Sequence, residues 1–92
     1  MENFEWNIDK NNKLKKERGI SFEMAVKAIL GNDLIKVEKN PNKKHSNQQM
    51  YIVNINNYCY LVPFVREKDK IFLKTIIPSR KATKKYIKNL SN

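Results

Sequence analysis

At 92 residues and 10.9 kDa the chain has room for one hydrophobic core and is expected to form a single domain over residues 1–92. With 40% hydrophobic and 10% aromatic residues it is no disordered tail, and no stretch nears the roughly 18 apolar residues of a membrane span. The formal charge of +10 favours anionic partners, and one cysteine excludes an intramolecular disulfide.

In chain order, FEW at Phe4 to Trp6 alternates apolar and acidic residues as a short strand does. Asp9 is expected to cap a helix from Lys10 to about Arg18, ended by Gly19 in the left-handed conformation. Ser21 starts a second helix, in which Phe22, Ala25, Val26 and Ile29 form one buried stripe and Gly31 with Asn32 closes the end. DLIKVE reads as a strand, and KNPNKKHSNQQ as a polar loop. MYIVNI and YCYLVPFV are two strands joined at Asn56 and Asn57, residues that tolerate positive φ; Pro63 makes the second an edge strand or one that carries a bulge. Glu67 to Asp69 is taken as a turn, IFLKTII as the last strand, and a helix capped by Ser79 or Thr83 runs to about Leu90. The fold class is therefore α+β: two N-terminal helices, an antiparallel meander and one C-terminal helix.

The charge is uneven. Residues 66–92 carry nine Lys or Arg against Glu67 and Asp69, and residues 10–18 carry five against Glu17. A turn at Glu67 to Asp69 sets Arg66 opposite Lys70, Phe64 opposite Phe72, Val62 opposite Lys74 and Tyr60 opposite Ile76. On that register one face mixes rings with cations, Arg80 lies just beyond its end, and the other face, with Val65, Ile71, Leu73, Leu61, Cys59 and Ile77, is the core. Rings stack on bases while cations follow phosphates, so the mixed face suits single-stranded nucleic acid. The same pattern also fits a second core layer, with Phe64 and Phe72 under the N-terminal helices and the lysines reaching water.

RNA cleavage needs neither a histidine nor a carboxylate pair when the 2′-hydroxyl attacks the adjacent phosphate and cations stabilise the transition state. Arg66 and Arg80 are the expected catalytic pair, since a guanidinium grips phosphate bidentately and keeps its charge. Lys74 and Tyr60 join them as candidate catalytic residues, with Lys70, Phe72, Lys81, Lys84, Lys85 and Tyr86 as candidate RNA-binding residues. His45 lies in a polar segment and reads as a surface histidine, and Cys59 as a core residue. No HxH, HExxH, CxxC, GxxxxGK or GxSxG motif occurs, so no metal or other cofactor is expected.

FEW with Asp9 and Lys10, GISFE at Gly19 to Glu23, and SRKAT at Ser79 to Thr83, taken in this order, make the chain resemble the BrnT family of type II toxins. The resemblance implies a RelE-like fold, a ribonuclease that cleaves mRNA, free or on the ribosome, and so inhibits translation, and a cognate antitoxin with a ribbon-helix-helix DNA-binding domain. It matches Arg80 to the arginine of the C-terminal motif, and Arg66 and Lys74 to basic positions of the last hairpin. Glu17, Arg18 and Gly19 stand where many members have Lys-His-Gly, and Lys84 and Lys85 where many have a glutamate, which moves the expected chemistry onto arginine. The expected activity is a metal-independent endoribonuclease. A non-catalytic RNA- or DNA-binding module is the alternative, and a protein-interaction partner for an acidic antitoxin tail is compatible with either. MENFEWNIDK lacks the basic start and apolar run of a signal peptide, so the cytoplasm is the expected location, with no membrane partner.

Overall fold

The structure is a computed structural model and describes residues 3–39 and 48–88. The polar segment with His45 lies outside the described residues. Strand β1 (Asn3–Glu5) leads to helices α1 (Ile8–Arg18) and α2 (Phe22–Leu30), then strands β2 (Leu34–Lys39), β3 (Gln49–Ile55), β4 (Tyr58–Glu67), β5 (Lys70–Leu73) and β6 (Ile77–Pro78). Helix α3 (Arg80–Thr83) continues in wider turns over Lys84–Lys88. The sheet runs β1-β5-β4-β3-β2, with β2 to β5 an antiparallel meander, β1 parallel to β5, and β6 on β4. The α+β class and the meander are as expected.

Local chemistry sets the helix ends. Asn7, not Asp9, caps α1: its side chain accepts from the Lys10 N–H at 2.9 Å, which moves the helix start forward to Ile8 and leaves Asp9 in the first turn. Gly19 stops α1 at φ 66°, and the Ser21 hydroxyl accepts from the Met24 N–H at 3.2 Å to start α2. Asn56 and Asn57 both take positive φ, 54° and 64°, and turn β3 into β4.

The sheet is covered on both faces. On one, Leu14, Phe22, Ala25 and Ile29 of the two N-terminal helices pack on Tyr51, Val53, Val62, Phe64, Ile71, Leu73 and Ile76. Tyr51 and Phe64 stack at 4.1 Å, and Trp6 stacks on Phe22 at 5.7 Å. On the other face Ile52 and Cys59 meet Ala82, with Tyr86 and Ile87 of the C-terminal helix packed alongside. Cys59 is fully buried, as expected of a core residue.

The expected pairing of β4 with β5 is displaced by one residue. Phe64 faces Leu73, Val65 faces Phe72, Arg66 faces Ile71 and Glu67 faces Lys70. The turn is therefore Lys68 and Asp69 alone, with Lys68 at φ 53°, and not Glu67 to Asp69. A one-residue slip exchanges the faces: Ile71 and Leu73 share the core side with Phe64, while Phe72 stands on the opposite side with Val65. The last strand is also broken. Its β6 part sets Leu61 opposite Ile77, one step further out of register, so a bulge lies between Leu73 and Ile77. Pro63 explains where: its carbonyl accepts from the Lys74 N–H at 2.8 Å, and its missing N–H falls beside the bulge, where no partner is required. β4 is an interior strand, so the edge alternative does not hold, and the bulge is carried by the partner strand and not by β4 itself.

Candidate RNA-binding and cleavage site

Three residues of SRKAT hold the C-terminal helix in place. The Ser79 hydroxyl accepts from the Ala82 N–H at 3.1 Å and starts α3. The Ser79 N–H donates to the Cys59 carbonyl at 2.9 Å, tying the helix start to β4. The Thr83 hydroxyl donates to the Ser79 carbonyl at 2.7 Å and accepts from the Cys59 N–H at 2.9 Å. Ala82 fills the second core. Arg80 and Lys81 are the exposed members.

Arg80 and Lys84 are four apart, and the Lys84 N–H still bonds the Arg80 carbonyl, so their side chains share one helix face. With Thr83, Asn57 and Tyr58 they line a cleft of about 500 Å3 at the β3–β4 turn. The Tyr60 ring, half-buried, meets Tyr58 edge-on at 5.6 Å. Two cations, a phenol and an amide are donors for an anion, and no acidic side chain lines the cleft among the described residues.

A second cluster lies on the same side of the sheet as the C-terminal helix. Phe72 is 38% exposed, and the Lys74 Nζ sits 5.5 Å from its ring centre. Val65, Glu67, Lys70 and Glu5 complete a smaller cleft of about 220 Å3, in which Lys70 and Glu5 approach to 3.8 Å.

Arg66 and Arg80 therefore do not share a pocket. Arg66 lies in phase with Phe64, on the side of α1 and α2, whereas Arg80 opens a helix seated on the opposite side. Arg80 is anchored near Cys59, seven positions from Arg66 and about 23 Å along β4. The expected mixed face is likewise divided. Phe64 is 1% exposed and is core, as the second-layer reading had it, while Phe72 is a surface ring beyond the slip. Lys81 and Lys85 are exposed on the C-terminal helix, where the Lys85 Nζ lies 5.2 Å from the Tyr86 ring. Tyr86 is half-buried against the second core.

Asn57 and Tyr58 were not among the expected site residues. Their place beside Arg80 comes from β6 pairing back onto β4, a contact of long sequence separation that no local pattern signals. Burial pushes the Cys59 thiol up, partly offset by the Thr83 hydroxyl, so it stays a neutral core group behind the cleft.

The fold defines a small α+β protein whose C-terminal helix borders a cationic cleft. Residues 6–85, most of the chain, match the family described as "Ribonuclease toxin, BrnT, of type II toxin-antitoxin system", and the chain belongs to that family. It is thus a ribonuclease toxin of a type II system, with an RNA substrate and a cognate antitoxin. Comparison with curated proteins and with solved structures found no match. No helix among the described residues is long and apolar enough to cross a membrane.

Proposed function

We propose that the toxin cleaves mRNA in the Arg80 cleft and so inhibits translation in the cytoplasm, the whole chain acting as one RelE-like domain. The carrying observation is that Arg80 and Lys84 converge on Tyr58 and Asn57 with no carboxylate between them among the described residues. Arg80 holds two non-bridging oxygens of the scissile phosphate, and Lys84 adds a second charge. The 2′-oxygen bonds to phosphorus, the bond from phosphorus to the 5′-oxygen breaks, the 2′-hydroxyl proton leaves to water, and the departing oxygen takes a proton from Lys84, which regains one from the water. The products are a 2′,3′-cyclic phosphate and a 5′-hydroxyl. Tyr60 is a positioning residue that supports Tyr58. The two cations do the electrostatic work and repel a divalent ion, which favours a metal-independent reaction.

Phe72 stacks a base further along the strand, with Lys70 and Lys74 beside it, and Lys81, Lys85 and Tyr86 extend the surface over the C-terminal helix. Arg66, on the other side of the sheet, serves substrate contact rather than the reacting phosphate. A cognate antitoxin with a ribbon-helix-helix DNA-binding domain silences the toxin by covering the cationic cleft.

The test compares Arg80→Ala and Arg66→Ala on naked and ribosome-bound mRNA, with product ends mapped. Arg80→Ala should lower the cleavage rate by about 10²- to 10³-fold and Arg66→Ala by only a few-fold, with cyclic-phosphate ends that persist in chelator. Full activity of Arg80→Ala would remove the cleft from the chemistry.

A further inference from the structure

The basic segment at residues 10–18 has no part in the cleavage cleft, yet its charges are not scattered. Lys10, Lys13, Leu14, Glu17 and Arg18 follow the i, i+3, i+4, i+7, i+8 spacing of one helix face. Leu14, buried in the main core, fixes the rotation of α1. Asn11, also buried, adds a second anchor by accepting from the Phe22 N–H at 2.7 Å. Thus locked, α1 turns Lys10, Lys13 and Arg18 toward β6, and these cations form one wall of a groove of about 360 Å3. The floor and far wall are Thr75 to Pro78, with Ile77 43% exposed. Lys15, on another face of the helix, is instead engaged by Glu23 at 3.7 Å.

Pro78, in the far wall of the groove, is two residues from Arg80, about 7 Å along an extended backbone, so the short link from β6 to α3 joins the two sites. Three cations against Glu17 give the groove a net positive charge, and among the described residues no aromatic ring lines it to read a base.

We infer that the groove between α1 and β6 is a second RNA subsite, which holds the phosphates of a single strand flanking the cut and does so independently of base sequence. The inference rests on the Arg80 cleft being where RNA is cut, but its test does not require cutting. A 2′-O-methyl oligonucleotide lacks the attacking hydroxyl and reports binding alone. Each phosphate neutralised on a single strand contributes about −0.7 to the slope of log affinity against log salt. The triple variant Lys10→Gln, Lys13→Gln, Arg18→Gln should therefore flatten the slope by about 2, so that wild type loses roughly 20-fold more affinity than the variant over a fourfold rise in salt. Glu17→Gln should strengthen binding, the opposite sign at an equally exposed position, and glutamine is a good helix former throughout. On cleavable RNA the triple variant should raise KM and leave kcat unchanged. An unchanged slope in the triple variant overturns the subsite even where cleavage by wild type proceeds, and so does an effect that depends on base sequence. A flattened slope with no cleavage by wild type retains the subsite and rejects the Arg80 chemistry.

Discussion

Thr83 shows how much one hydroxyl carries at this site. It is 4% exposed, and it bridges the Ser79 carbonyl and the Cys59 N–H across 24 positions of sequence. Thr83→Val keeps the shape and removes both bonds, leaving the buried Cys59 N–H without its acceptor. An orphaned buried donor costs about 1–3 kcal/mol, and for a domain of this size 1 kcal/mol moves Tm by about 4–8 °C. Thr83→Val is expected to melt at least about 4 °C below wild type, with Thr83→Ser recovering most of the loss; equal melting of the valine variant would mean that Ala82 and Tyr86 alone hold the helix. The neighbouring Cys59 gives a second measurement. Burial raises its thiol above the ordinary range, and only the thiolate is nucleophilic, so alkylation at neutral pH should wait for unfolding. Fast labelling of native protein would show the second core to be open.

Between elements, the N-terminal helices are joined by a side-chain clamp. The buried Asn11 amide donates to the Glu23 carboxylate at 2.7 Å while its oxygen accepts from the Phe22 N–H at 2.7 Å. The Asn11 bond, with the backbone N–H of Glu23 and the Lys15 charge, holds the Glu23 carboxyl below its ordinary value. A carboxyl lowered on folding adds stability above its unfolded pKa and loses it as pH falls through the folded value. Glu23→Gln should thus unfold more easily than wild type at neutral pH, and the gap should close as pH falls below the carboxylate range, as urea midpoints would reveal. Because Glu23 is exposed to solvent, the effect is small; a gap that is constant with pH would assign it to lost packing. None of this clamp was legible beforehand, since Asn11 sits in a polar run with Asn7 and Asn12 and only packing distinguishes it. The helices were legible from period and caps, and the β3–β4 turn from two asparagines. The β4–β5 register was not, because a three-residue or two-residue turn at EKD fits the pattern equally and one residue decides which face Phe72 takes. The bulge was half legible: Pro63 announced an irregularity, but not that the neighbouring strand would carry it.

Over the whole molecule, composition alone gave the sign of the partner, whereas two-sided coverage of the sheet came from contacts such as Ala82 on Ile52 that local pattern does not encode. The charge of +10 also acts on the fold itself. Its radius of gyration is 13.0 Å, and the Debye length is about 30 Å at 0.01 M salt but about 10 Å at 0.1 M. At the lower salt every cation repels every other across the molecule; at the higher, repulsion is confined to neighbours. The surface pairs of Lys15 with Glu23, Lys36 with Glu38 and Lys70 with Glu5 return little, since exposed pairs contribute about 0–1 kcal/mol each. Folding stability should therefore rise with salt from 0.01 to about 0.15 M, while affinity for RNA falls over the same range. Bound RNA relieves the same repulsion, and a ligand that binds only the folded state stabilises it. Thermal melts of the toxin with and without an uncleavable 2′-O-methyl oligonucleotide should show the largest upward shift in Tm at the lowest salt, shrinking as salt is added. A Tm that falls with added salt in the free protein would mean that ion pairs such as these outweigh the repulsion, and that the cations are arranged for the fold before they are arranged for RNA.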